Sequence, residues 1–173
     1  MTKRTDVVTF QGAPLTLLGE NVGVGDDAPD FAVLGNDLSE ERLSSFRGRI
    51  VVLTTVPSLD TGVCDTEIRR FNAAAADLGD DVAVLAVSMD LPFAQKRWCG
   101  AAGVDRVRTL SDHCDAAAGQ ALGVLIGELR LLARAVFVID RDGTIRYRQI
   151  VPELTNEPDY DAALAAVREL TAT

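Results

Sequence analysis

Apolar residues along the chain gather in runs that predict buried strands. Three nearly continuous runs lie at 50–56, 82–88 and 135–140. Runs without polar alternation are typical of strands that are covered on both faces, which occur at the centre of an α/β sheet. The pattern therefore predicts three central strands.

Between these runs, apolar residues recur at helical spacing. Residues 67–78 carry apolar side chains three or four positions apart, which predicts an amphipathic helix that ends at Gly79. Three more helices are predicted: one begins at Pro92 and passes through Trp98, one runs over 116–122 with Ser111 or Asp112 as its cap, and one covers 159–170.

Shorter stretches with alternating polar and apolar residues predict strands nearer the edges of the structure. They are a β-hairpin at 5–10 and 14–18, short strands at 30–34 and 107–110, and a second hairpin that turns at 141–143 and returns over 144–151. The polar stretch at 36–46 predicts a turn or short helix, and no helix or strand is predicted at 124–132.

The order of these elements predicts the fold class. Parallel βαβ units are followed by an antiparallel hairpin and a closing helix, which is typical of a thioredoxin-like α/β fold. The first hairpin is an addition at the N-terminus. No repeat or long linker divides the chain, so we expect a single domain over residues 1–173.

Composition excludes several classes of function. The 173 residues are 47% hydrophobic and 25% charged, which is typical of a folded globular chain. A net charge of −9 argues against a nucleic-acid groove and against binding to an anionic membrane surface. We see neither a signal peptide nor an apolar run long enough to span a bilayer, so we expect a cytoplasmic protein.

The cysteines limit the chemistry further. Cys64, Cys99 and Cys114 are odd in number and form no C-x-x-C motif, which disfavours a secreted disulfide framework and a simple dithiol redox site. The one histidine, His113, stands beside Cys114, so we expect no zinc site. A Cys–His nucleophile pair would require His113 to fold back onto Cys64.

The stretch 57–64 has the strongest chemical signal in the sequence. A strand ends at Pro57, the chain turns through Asp-Thr-Gly, and a helix begins at Cys64. Unpaired backbone N–H groups and the helix dipole stabilise an anion in the first turn of a helix. The thiolate is the reactive form of cysteine, so this position favours a nucleophilic sulfur.

Several separated motifs resemble the thiol peroxidase subfamily of the peroxiredoxins. Pro57, Thr61 and Cys64 stand in a P-x-x-x-T-x-x-C pattern within Pro-Ser-Leu-Asp-Thr-Gly-Val-Cys. The other similar stretches are 10–12, 90–100, 133–136 and 157–164. The resemblance covers essentially the whole chain and implies the peroxiredoxin variant of the thioredoxin-like fold.

The resemblance also implies roles for individual residues. Cys64 would be the peroxidatic cysteine, which attacks a peroxide oxygen and becomes a sulfenic acid. Thr61 would hydrogen-bond the sulfur and the peroxide, and Pro57 would shield the sulfenic acid from water. Arg134 would stabilise the negative charge that develops on the leaving oxygen.

A second cysteine would complete the cycle in the family. Cys99 matches the resolving cysteine, which would form an intramolecular disulfide with Cys64 after local unwinding of both segments. Cys114 matches no family motif and is interpreted as non-catalytic. The resemblance implies reduction by thioredoxin, peroxide substrates, a homodimer, and no metal, haem or flavin. A thiol–disulfide oxidoreductase of the same fold and a redox sensor remain alternatives.

The sequence departs from the family pattern at four places. Asp65 follows the nucleophile where a small residue is usual, and its charge opposes thiolate formation. Trp98 stands beside Cys99 where phenylalanine is usual, and the larger indole is expected to slow unwinding. Thr55 and Val56 replace larger apolar residues, and 124–132 is shorter than the corresponding loop, which affects the expected pocket and dimer interface.

Overall fold

A seven-stranded mixed sheet forms the centre of the computed structural model, which describes residues 1–173. In chain order the strands are β1 (Lys3–Phe10), β2 (Ala13–Leu18), β3 (Ala32–Leu34), β4 (Glu40–Arg42), β5 (Ile50–Thr55), β6 (Val82–Ser88), β7 (Val107–Ser111), β8 (Leu125–Ile126), β9 (Leu131–Leu132), β10 (Ala135–Ile139) and β11 (Ile145–Ile150). The large sheet has the order β11-β10-β5-β6-β7-β3-β4. Strands β5, β6 and β7 are parallel, and the outer strands pair antiparallel. The predicted α/β sheet and its three central strands are confirmed.

Alternate side chains of the central strands enter two different hydrophobic clusters. Ile50 and Val52 of β5 belong to one cluster, and Val51 and Leu53 belong to the other. All six side chains of β5 are buried. The sheet is therefore covered on both faces, as its unbroken apolar runs predict.

Four α-helices cover the sheet: α1 (Gly62–Ala75), α2 (Pro92–Ala102), α3 (Ala117–Leu122) and α4 (Tyr160–Thr171). Apolar side chains of α1, α2 and α4 pack in the cluster that contains Ile50, whereas α3 packs in the cluster that contains Leu53. Helix α1 begins at Gly62, two residues before the start predicted at Cys64 and well before the apolar periodicity of 67–78. The chain turns through 76–78 before Gly79, which has a φ of +82°.

A second, four-stranded sheet includes two strands within 124–132, where the sequence predicts none. The hairpin β1-β2 is present as predicted, and β8 and β9 extend it in the order β1-β2-β8-β9. Leu17 of β2 pairs with Ile126 of β8. Strands of two residues are too short to show alternation, so only the pairing with the hairpin makes them recognisable.

Two local predictions at helix and turn positions are resolved by the structure. The stretch 36–46 contains the edge strand β4, which has no apolar residue to signal it, followed by a single 3-10 turn at Leu43–Phe46. The N-cap residue of α3 is Ala116 and not Asp112, but the Asp112 carboxylate accepts hydrogen bonds from the backbone N–H groups of Ala118 and Gly119 in the first turn, at 3.0 and 2.8 Å. The hydroxyl of Ser111 donates instead to the Asp90 carbonyl.

Candidate active site

Cys64 lies in the first turn of α1 with its side chain fully buried. Thr61 occupies the N-cap position in extended backbone conformation, and its hydroxyl oxygen accepts a hydrogen bond of 3.4 Å from the backbone N–H of Cys64. The exposed fraction of Cys64 is 0%. The sulfur is thus placed where the helix dipole and unpaired N–H groups favour an anion.

The loop before α1 is fastened to the next parallel strand. Asp90 follows β6 and accepts hydrogen bonds from the Ser58 hydroxyl at 2.7 Å and from the backbone N–H of Leu59 at 2.8 Å. Because the carboxyl ends of parallel strands meet at one edge of the sheet, the segments after β5 and β6 are neighbours. Asp90 therefore fixes the path of the chain that carries Cys64, a role that the sequence analysis did not assign.

Arg134 points at the sulfur from the other side of the site. Its Nη1 atom donates to the Cys64 Sγ at 3.3 Å and to the Glu67 Oε2 at 2.6 Å. Its Nε and Nη2 atoms donate to the Leu154 carbonyl at 3.2 and 2.9 Å. The side chain is only 2% exposed. The guanidinium is therefore held in one orientation, in which its Nη1 atom donates a hydrogen bond to the thiol.

Glu67 is a site residue that the sequence analysis missed. It lies one turn after Cys64 on α1 and is 0% exposed. Its second carboxylate oxygen accepts a hydrogen bond of 2.5 Å from the Thr54 hydroxyl. The available signal was its spacing: Glu67 stands three residues after Cys64 and four before Phe71, on the helix face that the apolar pattern predicts to be buried.

The two buried charges depend on each other. Burial raises the pKa of Glu67, although Arg134 and Thr54 act in the opposite direction. Burial would lower the pKa of Arg134, but the neighbouring Cys64 and Glu67 outweigh burial, and the pKa of the guanidinium is raised. Arg134 is therefore a permanent cation beside the sulfur.

Thr61 and Pro57 both adjoin the site. The Thr61 hydroxyl donates to the Ser58 carbonyl at 3.1 Å, so in this structure it caps the helix and does not donate to the sulfur. Pro57 is buried directly after β5. Both residues line the cavity described next.

A cavity of about 340 Å³ opens beside Arg134. Its walls are mainly apolar and come from separate parts of the chain: Phe10 from the hairpin, Val63 from α1, and Leu129, Leu131 and Leu154 from the segments that flank β10 and β11. The cavity provides an apolar approach to Arg134, the cation that contacts the Cys64 sulfur.

Comparison with known proteins identifies the family. The Redoxin family model matches residues 23–164. The chain is 54% identical over 163 residues to the thiol peroxidase of Bacillus subtilis, covering 94% of this chain and 97% of that protein. It is 56% identical over 158 residues to the thiol peroxidase of Oceanobacillus iheyensis, covering 91% and 96%.

The chain belongs to the thiol peroxidase family. A crystal structure of a peroxiredoxin-like protein from Aquifex aeolicus superposes with a TM-score of 0.90 at 43% identity, covering 98% of this chain and 99% of that one. The resemblance to thiol peroxidases and the thioredoxin-like fold of the peroxiredoxin type, both predicted from the sequence, are confirmed.

The thiol peroxidase motifs do not all meet at one place. Thr61, Arg134 and Pro57 line the cavity, and Cys64 adjoins them through its contacts with Arg134 and Thr61. Cys99 lies half-buried on α2, and its sulfur shares a hydrogen bond of 3.4 Å with the Thr109 hydroxyl. All three cysteines are free thiols.

Cys114 and His113 stand apart from this site. The Cys114 side chain is exposed, and its sulfur lies 3.3 Å from the His113 Nε2 atom. The imidazole of His113 therefore contacts Cys114 and does not form a pair with Cys64, whose sulfur is contacted by Arg134. No group of three or more His, Cys, Asp or Glu side chains is arranged to hold a metal ion. None of the helices is both long and apolar enough to cross a membrane.

Proposed function

We propose that the protein is a thiol peroxidase that reduces hydrogen peroxide and alkyl hydroperoxides with Cys64 as the peroxidatic residue. The observation that carries this proposal is the hydrogen bond of 3.3 Å from Arg134 Nη1 to the Cys64 sulfur at the start of α1. A helix N-terminus and a fixed cation both favour the thiolate. The family to which the chain belongs supports the same chemistry.

The peroxide step is a displacement at oxygen. The Cys64 thiolate attacks one peroxide oxygen, the O–O bond breaks, and the sulfur becomes a sulfenic acid while the other oxygen leaves as water or an alcohol after protonation. Negative charge moves from sulfur to the leaving oxygen in the transition state. Arg134 lies next to the sulfur and can stabilise that charge without reorienting, because Glu67 and Leu154 already hold it.

The cavity supports the inclusion of alkyl hydroperoxides among the substrates. Its apolar walls suit a hydrocarbon group, while Arg134 and Thr61, which also line it, suit the peroxide oxygens. In this proposal Pro57 limits the access of water to the sulfenic acid.

Recycling requires a second thiol, which we assign to Cys99. Its thiol attacks the Cys64 sulfenic sulfur, which forms a disulfide and releases water. In the reduced protein the Cys64 sulfur accepts a hydrogen bond from Arg134 and the Cys99 sulfur shares one with Thr109, and in this proposal part of α1 or α2 unwinds to release them. Thioredoxin is the proposed reductant of the disulfide, by thiol–disulfide exchange.

Three further features belong to the same proposal. A single domain over 1–173 is supported by the hydrophobic cluster that joins the hairpin residue Leu17 to Leu53 of the central sheet. A cytoplasmic location fits the odd number of cysteines. A homodimer would cover Leu91 and Phe93, which are exposed apolar side chains at the start of α2.

A coupled assay tests the proposed reaction. Peroxide consumption is measured with thioredoxin, thioredoxin reductase and NADPH. Cys64→Ser should abolish turnover, and Cys99→Ser should consume about one equivalent of peroxide and then stop, since the sulfenic acid forms but is not resolved. Cys114→Ser is the matched control and should turn over like the wild type.

The assay also has outcomes that contradict the proposal. Turnover that persists in Cys64→Ser would show that another group reduces the peroxide. If Cys114→Ser stops after one equivalent while Cys99→Ser continues, the resolving role belongs to Cys114.

A further inference from the structure

Three side chains join α1 to α2 next to the two cysteines. The Trp98 Nε1 atom on α2 donates a hydrogen bond of 3.0 Å to Asp65 Oδ1 on α1. Arg69, one turn further along α1, donates to Asp65 Oδ2 at 2.8 Å and to the Ala102 carbonyl on α2 at 3.1 Å. Its guanidinium also lies 5.8 Å from the centre of the Trp98 ring. We call Asp65, Arg69 and Trp98 the clasp.

The clasp lies beside both cysteines in sequence. Asp65 follows Cys64, and Trp98 precedes Cys99. In the structure Asp65 and Trp98 are the two ends of one hydrogen bond, so the neighbours of the two cysteines are joined directly.

The clasp differs from an isolated surface ion pair, which contributes little. Both oxygens of the Asp65 carboxylate are engaged, one by the indole and one by the guanidinium. Trp98 is partly buried and packs against the hydrophobic cluster beneath α1 and α2. The indole N–H can only donate, so moving Trp98 away from Asp65 breaks this bond and the ring contact with Arg69 together.

We propose that the clasp sets the rate of the resolving step by holding α1 and α2 in the arrangement that reacts with peroxide. This inference rests on the proposed function, in which Cys64 and Cys99 form a disulfide. The Cys64 sulfur is hydrogen-bonded to Arg134, and the Cys99 sulfur is hydrogen-bonded to Thr109 on a different element. In this proposal the sulfurs leave these partners and meet when the turn that carries Asp65 and the turn that carries Trp98 change their relative position, which opens the clasp.

The clasp acts on a choice between two reactions of the sulfenic acid. In the first, the Cys99 thiol attacks Cys64–SOH, the S–O bond breaks, and a disulfide and one water form. In the second, another peroxide molecule oxidises Cys64–SOH to the sulfinic acid and is itself reduced to water or an alcohol. A closed clasp favours the second reaction by delaying the first. Asp65, Arg69 and Trp98 are thus positioning residues for resolution, and they do not touch the peroxide.

Single-turnover kinetics separate the two steps. Reduced protein is mixed with one equivalent of hydrogen peroxide, quenched with acid at set times, and analysed by mass spectrometry for the sulfenic acid and the disulfide. Trp98→Phe keeps an aromatic ring but loses the N–H donor. We expect it to speed disulfide formation about threefold to tenfold, which corresponds to one hydrogen bond. The rate of sulfenic acid formation should stay within about twofold of the wild type, because the indole hydrogen bond goes to Asp65 whereas the Cys64 sulfur is hydrogen-bonded by Arg134.

A double-mutant cycle tells the clasp from a general loosening of α2. Asp65→Ala should also speed disulfide formation, and the double variant Asp65→Ala/Trp98→Phe should be no faster than the faster single variant. Arg70→Gln is the matched control. Arg70 also lies on α1 and has a cation–π contact, but with Tyr160 on α4, so its loss should leave disulfide formation unchanged.

Trp98 gives an independent optical signal, since it is the only tryptophan. Its fluorescence should change with disulfide formation and not with sulfenic acid formation. In reduced Asp65→Ala the emission should already resemble that of the oxidised wild type.

The outcomes separate this inference from the proposed function. If the wild type forms the Cys64–Cys99 disulfide but Trp98→Phe forms it no faster, the clasp does not control resolution. Additive effects of Asp65→Ala and Trp98→Phe would likewise overturn it. If the wild type forms no such disulfide, the proposed function fails at the resolving step, whatever the variants do.

Discussion

Glu67 and Arg134 are opposite charges that lie inside the protein next to the Cys64 sulfur. A buried ion pair costs desolvation free energy, and neither charge is stable there without the other. The pair therefore links the stability of the fold to the presence of a fixed cation at the thiol. Thr54 adds a hydrogen bond to the remaining carboxylate oxygen, so Glu67 leaves no oxygen unpaired.

Removing the Glu67 side chain should destabilise the protein strongly. Glu67→Ala leaves the Arg134 charge buried without its partner, and we expect the free energy of unfolding to fall by about 3–5 kcal/mol. Glu67→Gln keeps the volume and the oxygen acceptor and should lose less than Glu67→Ala. Urea unfolding followed by circular dichroism measures both values.

A surface ion pair provides the comparison for this prediction. Asp81 pairs with Arg141, and both side chains are exposed. Asp81→Ala should cost less than about 1 kcal/mol. A loss from Glu67→Ala as small as that from Asp81→Ala would contradict the view that the buried pair supports the fold.

At the scale of elements, the N-terminal hairpin supports the position of Arg134. Thr9 at the end of β1 exchanges backbone hydrogen bonds with Pro152 and Leu154, at 2.7 and 2.9 Å. The Leu154 carbonyl in turn accepts two hydrogen bonds from Arg134. Glu153 strengthens the link, since its carboxylate accepts from the Gly12 backbone N–H at 2.9 Å and the Thr9 hydroxyl at 3.0 Å.

The Glu153 link should weaken in acid. Hydrogen bonds from the backbone N–H groups of Thr155 and Gly12 lower the pKa of Glu153 to about 2, from an ordinary value of 4.5. A carboxyl with a lowered pKa stabilises the folded state above its unfolded pKa, and that stabilisation is lost as pH falls through the folded pKa. The wild type should therefore melt at a higher temperature than Glu153→Gln at pH 7, and the difference should shrink between about pH 4.5 and pH 2.

Melting curves at several pH values test this directly. Thr155→Val removes one side-chain donor but keeps the backbone N–H that bonds to Glu153. The melting temperature of Thr155→Val should therefore lie closer to that of the wild type than the melting temperature of Glu153→Gln does, and this smaller difference should also shrink as the pH falls. A difference between wild type and Glu153→Gln that is equal at pH 7 and pH 2.5 would contradict the role given to the ionised carboxylate.

The same elements show which parts of the structure can be predicted from the sequence. Strands such as β5 and the turn at Cys64 are determined locally, by an unbroken apolar run and by the residues of a helix N-cap. Strands β8 and β9 become strands only because the distant β2 pairs with β8. Asp65 and Trp98 could each be singled out, but their hydrogen bond depends on how α1 packs against α2. Local patterns carry no information on such contacts between distant segments.

At the scale of the whole molecule, the cavity depends on the junction between the two sheets. Phe10 belongs to the small sheet, Pro57 follows a strand of the large sheet, and Leu131 joins the two through β9 and the residues before β10. The small sheet thus provides apolar walls for the cavity, and the large sheet places the thiol and the cation. A substrate that is larger than hydrogen peroxide would contact both.

This division predicts that substrate preference can be changed without altering the chemistry. Phe10→Ala removes apolar surface from the cavity wall while leaving Cys64 and Arg134 untouched. We expect kcat/KM for cumene hydroperoxide to fall about tenfold, which is the scale on which an apolar pocket discriminates between hydrocarbon groups. The kcat/KM for hydrogen peroxide should stay within about twofold, since that substrate has no hydrocarbon group to contact Phe10. Val24→Ala is the matched control, because Val24 is an exposed apolar residue outside the cavity. If Phe10→Ala lowers kcat/KM equally for both peroxides, the hairpin acts on the thiol and not on the substrate.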